Sequence, residues 1–240
     1  MLEPRLLTTP DIVQGRRTPG WLSDSHQRFR EQLLDPRYPC HFGTAAERAG
    51  DIRYTYVEGR DWGHMPASLS AFLALANASP SQYHILAAFF RPEPLKSCHG
   101  DYEEIFWALL QYLHNHDSSA WPGPTDPAHY LWTFAFAGVQ MFTFFAAPSY
   151  EQRRSRHLGP SLIVMFQPRR VFEGIEGDTA AGRQARKVVR EKLATWDAVP
   201  AHPRLGAFGD PSSVEWKQYV IRDDNGPIEG ECPLRVRSRP

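Results

Sequence analysis

The sequence predicts an α+β fold in a single domain, with a mainly antiparallel sheet and helices packed on it. Short β-branched and aromatic runs occur in clusters, without the regular strand–helix alternation of a parallel α/β protein. Pro and Gly account for 21 and 17 of the 240 residues, which favours a loop-rich fold over a helical bundle. The hydrophobic fraction of 42% and the charged fraction of 22% are typical of a folded globular chain.

The first half of the domain alternates between helical and extended patterns. Residues 1–24 are expected to form a flexible arm, and residues 25–240 the domain itself. Apolar residues at helical spacing predict helices, and alternating or continuous β-branched and aromatic residues predict strands. The predicted elements are a helix at 25–35, a strand at 52–57, a helix at 67–78 and a strand at 83–90.

The clearest helix is predicted over 101–116. Asp101 is a plausible N-cap, and Glu103 and Glu104 would lie in the first turn, where negative charge is favourable. The apolar residues that make one stripe along this helix are Tyr102, Ile105, Phe106, Leu109, Leu110 and Leu113.

A β-hairpin is predicted from two aromatic runs, 131–137 and 140–146. They flank Gly138, a residue that tolerates the positive φ of a tight turn. The remaining predicted elements are a strand at 161–166, a basic helix at 179–196 and a strand at 215–221.

Composition excludes several classes of function. The chain has 27 basic and 27 acidic side chains, so it lacks the net basic charge expected of a nucleic-acid or membrane-surface binder. It shows no apolar segment of about 20 residues and no signal-peptide pattern, and its three cysteines form no CxxC pair. We therefore expect a reduced, cytoplasmic protein. Dinucleotide, P-loop, GxSxG and HExxH motifs are absent from the sequence.

His114 is the first candidate for chemistry. It lies on the apolar face of the helix predicted at 101–116, four residues after Leu110. An imidazole on such a face, beside aromatic residues, can serve as an axial ligand of a heme iron. The alternative is a histidine packed near a helix C-terminus, where positive charge is favoured.

Two basic positions and two cysteines are further candidates. Arg156 lies in the dense basic run 153–157, and Arg169 follows an apolar strand; either guanidinium could hold a carboxylate. The alternative is a solvated run of charge. Cys40 and Cys232 each adjoin a proline, and each is either a thiolate ligand of heme or an inert, buried cysteine.

Taken together, several motifs resemble the YqcI/YcgG family over residues 38–234. The match includes Leu113-His114 followed by Asp117 and Trp121-Pro122, and the block Phe166-Gln167-Pro168-Arg169. The other matching segments are Pro39-Cys40-X-Phe42-Gly43, Trp132-X-Phe134-X-Phe136-X-Gly138, Arg154-Ser155-Arg156, Glu215-Trp216-X-Gln218-Tyr219 and Cys232-Pro233.

The resemblance implies a heme b protein, because members of that family include heme-dependent N-oxygenases. It makes His114 the leading iron ligand, with His157 the alternative and Cys40 third. Arg156 or Arg169 would pair with a heme propionate. Trp121 and Phe136 would wall the pocket.

The implied activity is hydroxylation of a guanidine or amine nitrogen of arginine or a related small molecule. It requires O2 and an electron donor, and Glu215 or Asp117 would hold the cationic group of the substrate. A homodimer is compatible with this activity. The alternative is a non-catalytic protein that senses, stores or transfers heme or a gas, and a small-molecule binding module without a cofactor is a third reading.

Overall fold

The computed structural model describes residues 2–16, 18–93 and 98–237. Over these residues the chain forms a five-stranded sheet with six α-helices around it. The strands are β1 (Ile52–Val57), β2 (Ile85–Phe90), β3 (Ala135–Phe136), β4 (Val139–Ala146) and β5 (Ile163–Pro168). The helices are α1 (Thr9–Val13), α2 (Gly20–Leu33), α3 (His41–Ala49), α4 (Met65–Ala78), α5 (His99–His116) and α6 (Ala180–Trp196).

The sheet confirms the predicted fold class. Its strand order is β1-β2-β5-β4-β3. β1 and β2 are parallel, with α4 between them in sequence, and the other three neighbouring pairs are antiparallel. The sheet is therefore mixed but mostly antiparallel. All residues of β2 and β5 are buried, because helices and loops cover both faces at the centre of the sheet.

The predicted hairpin is confirmed, but its first strand is much shorter than expected. Ala137 and Gly138 both have positive φ, 51° and 71°, which is the conformation of a two-residue type I′ turn. β3 contains only two residues instead of the predicted 131–137. The amide of Phe134 donates to the hydroxyl of Tyr219 at 2.9 Å, so a side chain takes the place of a ladder partner there.

The strand predicted at 215–221 is wrong. Glu215–Gln218 form a 3-10 helix instead. Nearly the whole segment is buried, including Glu215, Trp216, Gln218, Tyr219, Val220 and Ile221. The Tyr219 hydroxyl lies 3.0 Å from that of Thr133 and accepts from the Phe134 amide, so contacts with a distant segment hold this turn in place.

The four predicted helices are present, although α2 begins at Gly20, well before its predicted start, and α1 and α3 were not predicted. The N-cap of α5 is Cys98 rather than Asp101. Asp101 is the N3 residue of the capping box, and its carboxylate accepts from the Cys98 amide at 2.8 Å. β5 begins and ends two residues later than the predicted strand at 161–166.

The segment expected to be a flexible arm packs against the sheet where the structure describes it. Leu7 exchanges backbone hydrogen bonds of 2.8 and 2.9 Å with Tyr54 of β1. Ile12 and Leu22 are buried. Burial of these apolar side chains offsets the entropy lost when the segment is ordered.

Two hydrophobic clusters lie on opposite faces of the sheet. One joins α4 and α5 to the segment after residue 213, and the other joins α1, α2 and α3 to the sheet. Among the described residues, no helix is long and apolar enough to cross a bilayer.

Candidate functional site

A cavity of about 260 Å³ lies between α6 and strands β4 and β5; we call it the aromatic cavity. Phe142 and Phe144 alternate along β4, so both side chains point to the same face of the sheet. Phe142 pairs in register with Gln167 of β5, which also lines the cavity. The apolar side chains that line it include Phe42, Phe142, Phe144, Phe172, Phe208 and Leu193.

α6 covers this cavity and has few buried residues. Its fully buried residues are Gly182 and Leu193. A Cβ at Gly182 would lie 2.2 Å from the carbonyl oxygen of Ile175, so only glycine allows this close approach. A helix with so little buried surface can shift relative to the sheet at small cost.

Glu215 and Arg169 form an ion pair in the wall of the cavity. Arg169 Nη1 donates to Glu215 Oε1, and Gln218 Nε2 donates to Glu215 Oε2 at 3.3 Å. The Arg169 side chain is 13% exposed and the Glu215 side chain is 3% exposed. Burial raises the pKa of Glu215, and the charge of Arg169 opposes that shift. The pair therefore places one carboxylate and one guanidinium at the boundary of an apolar space.

Aromatic rings surround the Arg169 guanidinium. Its central carbon lies 3.7 Å from the centroid of the Phe208 ring and 5.6 Å from that of Phe172. A planar cation over an aromatic face is stabilised by the ring quadrupole. This wall of the cavity therefore has the features of a guanidinium-binding site.

Arg156 lies beside the cavity and donates to three backbone acceptors. It is buried, and it donates to the carbonyl oxygens of Phe145, Tyr219 and Gln218 at 3.1 to 3.3 Å. Its guanidinium lies 4.3 Å from the centroid of Phe144. Burial lowers the pKa of Arg156. These bonds tie β4 to the segment that carries Glu215.

The structure separates His114 from the aromatic cavity. His114 is buried on α5, and its Nε2 accepts a hydrogen bond of 2.9 Å from the amide of Arg237. It is not among the residues that line the aromatic cavity. Ligation of iron through this nitrogen requires the C-terminal segment to leave it, so the role assigned to His114 stays a prediction.

Trp121 lies beside His114, and Phe136 belongs to the hydrophobic cluster that includes residues of α5. The Trp121 ring is 5.5 Å from His114 and stacks on Trp132 at 6.0 Å, while its Nε1 donates to Pro124 O at 3.0 Å. Phe136 is buried in β3. Neither lines the aromatic cavity.

His157 lines a different space. Its Nδ1 donates to the carbonyl of Tyr150 at 2.9 Å, and the residue lines an open cleft of about 720 Å³ next to α2. Its role as an alternative ligand also stays a prediction.

Cys40 is the ligand candidate that lines the aromatic cavity. Its sulfur accepts from the amide of Gly43 at 3.4 Å, at the start of α3. Burial raises the pKa of the Cys40 thiol, while that amide and the charges of Arg156 and Lys192 act in the opposite direction.

Of the two carboxylates considered for substrate binding, only Glu215 lines the cavity. Asp117 follows α5 and accepts from the amides of Ser119 and Ala137 at 2.9 and 2.8 Å. It therefore supports the hairpin turn.

Two arginines of α6 lie where the cavity adjoins an open groove, which we call its mouth. Arg186 and Arg190 of α6 line both the aromatic cavity and an open groove of about 800 Å³ beside it. Arg186 also donates to Gly177 O at 2.6 Å and Arg190 to Leu205 O at 2.7 Å, so these side chains attach loops to α6.

Sequence reasoning missed Phe208 and the two arginines at the mouth. Phe208 lies in a loop between Gly206 and Gly209 and has no periodic signal. Arg186 and Arg190 belong to a helix whose basic face is indistinguishable from an ordinary solvated face in the sequence. Four-residue spacing places them on one side of α6.

Within the described ranges, no group of three or more His, Cys, Asp or Glu side chains has the geometry to hold a bare metal ion. A heme takes only one or two protein ligands, so its requirement is a single donor beside an apolar pocket.

Comparison with known proteins identifies the relatives of this chain. The sequence model described as the YqcI/YcgG family matches residues 29–235, nearly the whole chain. The chain belongs to this family. Two members from Bacillus subtilis (strain 168) are similar to it: YcgG is 34% identical over 90% of this chain and 88% of its own length, and YqcI is 32% identical over 95% and 94%.

A third YqcI/YcgG relative carries a functional name. It is the Streptomyces lavendulae protein provisionally named N(omega)-hydroxy-L-arginine synthase DcsA, 30% identical over 91% of this chain and 85% of its own length. No solved structure matches the chain significantly. Residues of the Phe-Gln-Pro-Arg block and of the Glu-Trp segment meet at the aromatic cavity, where Gln167, Arg169, Glu215 and Gln218 line the wall.

Proposed function

We propose that this protein is an N-oxygenase that hydroxylates a guanidine or amine nitrogen of arginine or a related small molecule. The observation that carries the proposal is the buried carboxylate of Glu215 in an otherwise aromatic wall, where it already holds a guanidinium. The name of the Streptomyces relative supports the choice of arginine.

The cavity offers complementary charges to the two ends of an arginine molecule. Glu215 would accept hydrogen bonds from the guanidinium, and Phe208 would cover its face. Arg186 and Arg190 at the mouth would meet the α-carboxylate, because a guanidinium has five N–H donors and both residues use only some of them. This arrangement selects a guanidine or amine that carries a carboxylate.

The proposed reaction consumes O2 and two electrons from an external reductant. One oxygen atom of O2 is inserted into an N–H bond to give N–OH, and the other leaves as water. Two electrons from the donor and two protons complete the reaction. Glu215 orients the reacting group, and the phenylalanine rings keep bulk water away from it.

We propose heme b as the cofactor, and the chemistry of the lining fits it. Aromatic walls suit a porphyrin, and Cys40 is a soft donor in the wall. When bound, a heme supplies the activation of O2. The volume of about 260 Å³ lies below the range of roughly 300–1,000 Å³ usual for ligand pockets, so the cavity must enlarge to hold a heme together with arginine.

The test combines heme reconstitution with a product assay. The protein is titrated with hemin, its Soret band is recorded, and it is then incubated with L-arginine, O2, and a ferredoxin with its reductase and NADPH. We expect N-hydroxylated arginine by mass spectrometry. Glu215→Gln should abolish the product, and Glu229→Gln, at an exposed carboxylate outside the cavity, should not.

A second variant guards against a loss of folding in Glu215→Gln. Phe208→Leu removes the aromatic face and leaves all charges in place, so it should raise the KM for arginine more than it lowers kcat. A hemin-loaded protein that makes no hydroxylated product from arginine or related guanidines and amines would instead favour a non-catalytic heme protein.

A further inference from the structure

We infer that Glu215, Phe208 and Phe172 form a receptor for a planar guanidinium cation, and that Arg169 is an internal occupant which the ligand displaces. The inference deepens the proposed function, on which it rests for the identity of the substrate. In the free protein, the Arg169 side chain fills this receptor.

The contacts of Arg169 reproduce those expected for a bound guanidinium. Its Nη1 donates to Glu215, and its central carbon lies 3.7 Å from the centroid of Phe208. Both partners line the aromatic cavity, so a ligand that enters the cavity reaches the same carboxylate and the same ring.

Arg169 nevertheless uses this receptor incompletely. Within the described residues, its buried Nε has no hydrogen-bond partner. The Glu215 carboxylate accepts from only one nitrogen of Arg169, whereas guanidinium and carboxylate can form two parallel bonds. Arg169 is held by a backbone that follows β5, and a free ligand has no such constraint. A diffusing guanidinium can therefore make the two-bond contact that Arg169 does not make.

A place for the displaced side chain exists on the other side of Arg169. Arg169 also lines an outer recess of about 360 Å³, together with Glu173, Glu176 and Arg170, whose guanidinium donates to Asn77 Oδ1 at 2.8 Å. Glu173 is exposed, and Glu176 lines both spaces. When Arg169 turns away from Glu215, these carboxylates can take over its charge. The cation therefore has two positions, each beside a carboxylate, and the ligand selects the outer one.

This exchange predicts the behaviour of ligand affinity. A ligand whose site is open for only a fraction of the time binds more weakly by that fraction. Removal of Arg169 should therefore strengthen guanidinium binding, although it removes a residue from the site.

The test measures binding without heme, O2 or reductant. Methylguanidinium chloride is titrated by calorimetry into the full chain, with methylammonium chloride at equal ionic strength as the non-planar control. We expect Arg169→Ala to bind methylguanidinium tighter than the wild type by about tenfold or more. The same ion should raise the melting temperature of Arg169→Ala, and Arg169→Ala combined with Glu215→Gln should show neither effect.

Arg169→Gln, which keeps most of the side-chain volume, serves if Arg169→Ala does not fold. A folded Arg169 variant that binds methylguanidinium no tighter than the wild type, or no tighter than methylammonium, would overturn the inference.

The outer position is tested separately. In the wild-type background, Glu173→Gln should weaken methylguanidinium binding, because Arg169 must move to the outer recess when the ligand binds. In the Arg169→Ala background the same change should leave the affinity unaltered, because no side chain has to move. Glu229→Gln is the matched control for loss of a surface charge. An equal effect of Glu173→Gln in both backgrounds would contradict the two-position exchange.

The outcomes distinguish this inference from the proposed function. Tight guanidinium binding without any N-hydroxylated product overturns the proposed function alone. Formation of hydroxylated arginine together with unchanged binding in the Arg169 variants overturns the exchange alone.

Discussion

Arg169 and Glu215 come from segments 46 residues apart in sequence and form an ion pair that is almost wholly removed from solvent. Arg169 follows β5 directly, and Glu215 begins the 3-10 helix that lies across the end of the sheet. The pair therefore fixes the position of the segment after residue 213 relative to the sheet. It also determines the electrostatics of the aromatic cavity.

Breaking this pair on one side should cost more stability than removing both partners. Glu215→Gln leaves the Arg169 cation without its anion, and loss of one partner of a buried pair costs about 3–5 kcal/mol. The double variant Arg169→Met with Glu215→Leu should recover most of that loss. Urea unfolding measures both, and equal free energies of unfolding for the single and double variants would contradict this expectation.

The hairpin turn should be improved by a residue that tolerates positive φ. Ala137 has a φ of 51°, and the left-handed conformation costs an ordinary residue about 1–2 kcal/mol. Ala137→Asn creates the Asn-Gly pair preferred in type I′ turns. We expect its free energy of unfolding to rise by about 1 kcal/mol. Ala137→Val, with a β-branched side chain, should have the opposite effect, and a turn insensitive to both changes would not be type I′.

The Asp117 carboxylate should matter for the turn and not for the substrate. It accepts from the Ala137 amide at 2.8 Å. Asp117→Ala should lower the free energy of unfolding by roughly 1 kcal/mol, as expected for loss of a hydrogen bond to a charged acceptor at a partly exposed site. The KM for arginine should stay at the wild-type value, whereas a large rise in KM would place Asp117 in the substrate site.

Gly182 should be essential for the position of α6. Its Cβ would lie 2.2 Å from the Ile175 oxygen, so Gly182→Ala must push the first turn of α6 away from the loop below it. Overpacking of this kind costs typically 1–3 kcal/mol. We expect faster hydrogen exchange at the start of α6 together with unchanged exchange in α5. Uniform acceleration across both helices would show global destabilisation instead.

Stability should fall as the pH decreases from about 6.5 to 4. Burial lowers the pKa of His26 to about 4, with a further contribution from Arg30. His26 packs edge-on to Tyr54 at 4.6 Å. Below pH 6.5 the unfolded chain binds a proton at His26 that the folded chain does not, so its contribution is complete above that pH and is lost on acidification.

The size of this effect follows from the pKa difference. Each pKa unit is worth about 1.4 kcal/mol, so His26 accounts for a loss on the order of 3 kcal/mol by pH 4. His64, whose pKa is also lowered by burial to about 4, adds a similar contribution. His26→Phe should reduce the slope of the unfolding free energy against pH between 6.5 and 4, and an unchanged slope would exclude His26 as its source.

The iron ligand can be assigned by comparing three variants of the hemin-loaded protein. His114→Ala should lose heme or change its Soret and ligand-field bands if the ligand implied by the family resemblance is right. His157→Ala should leave them nearly intact. Cys40→Ala is the decisive comparison, because Cys40 lines the aromatic cavity and His114 does not. A changed spectrum in Cys40→Ala alone would identify Cys40, the N-cap residue of α3, as the iron ligand.

The hemin-loaded protein also distinguishes the roles of Arg156 and Arg169 from those of Arg186 and Arg190. Arg156 donates to three carbonyl oxygens and Arg169 to Glu215, and their role in holding a propionate stays a prediction. If one of them holds a propionate, Arg156→Ala or Arg169→Ala should weaken heme retention without changing the spectrum of the axial ligand. Arg186→Ala and Arg190→Ala should instead raise the KM for arginine and leave the Soret band unchanged. Heme retention at the wild-type level in both Arg156→Ala and Arg169→Ala, at equal folded fraction, would contradict the predicted role.

The sequence by itself determined four of the six α-helices, most strands and the fold class. The stripe from Tyr102 to Leu113 can be buried only by a helix, and the run at 85–90 only by a central strand, because their side-chain periods match one backbone conformation each. Local preference also placed the turn at Gly138. The family motifs, read together, identified the YqcI/YcgG family before any contact was known.

Tertiary structure alone decided which of the singled-out residues share a site. Arg169 and Glu215 meet at the aromatic cavity, whereas His114 of α5 packs against Trp121, apart from that cavity. Spacing along a chain specifies which face of an element a residue occupies, but not which element lies opposite that face. The 3-10 helix at Glu215 and the approach of α6 over Phe208 depend on contacts between distant segments, and only the folded chain brings those segments together.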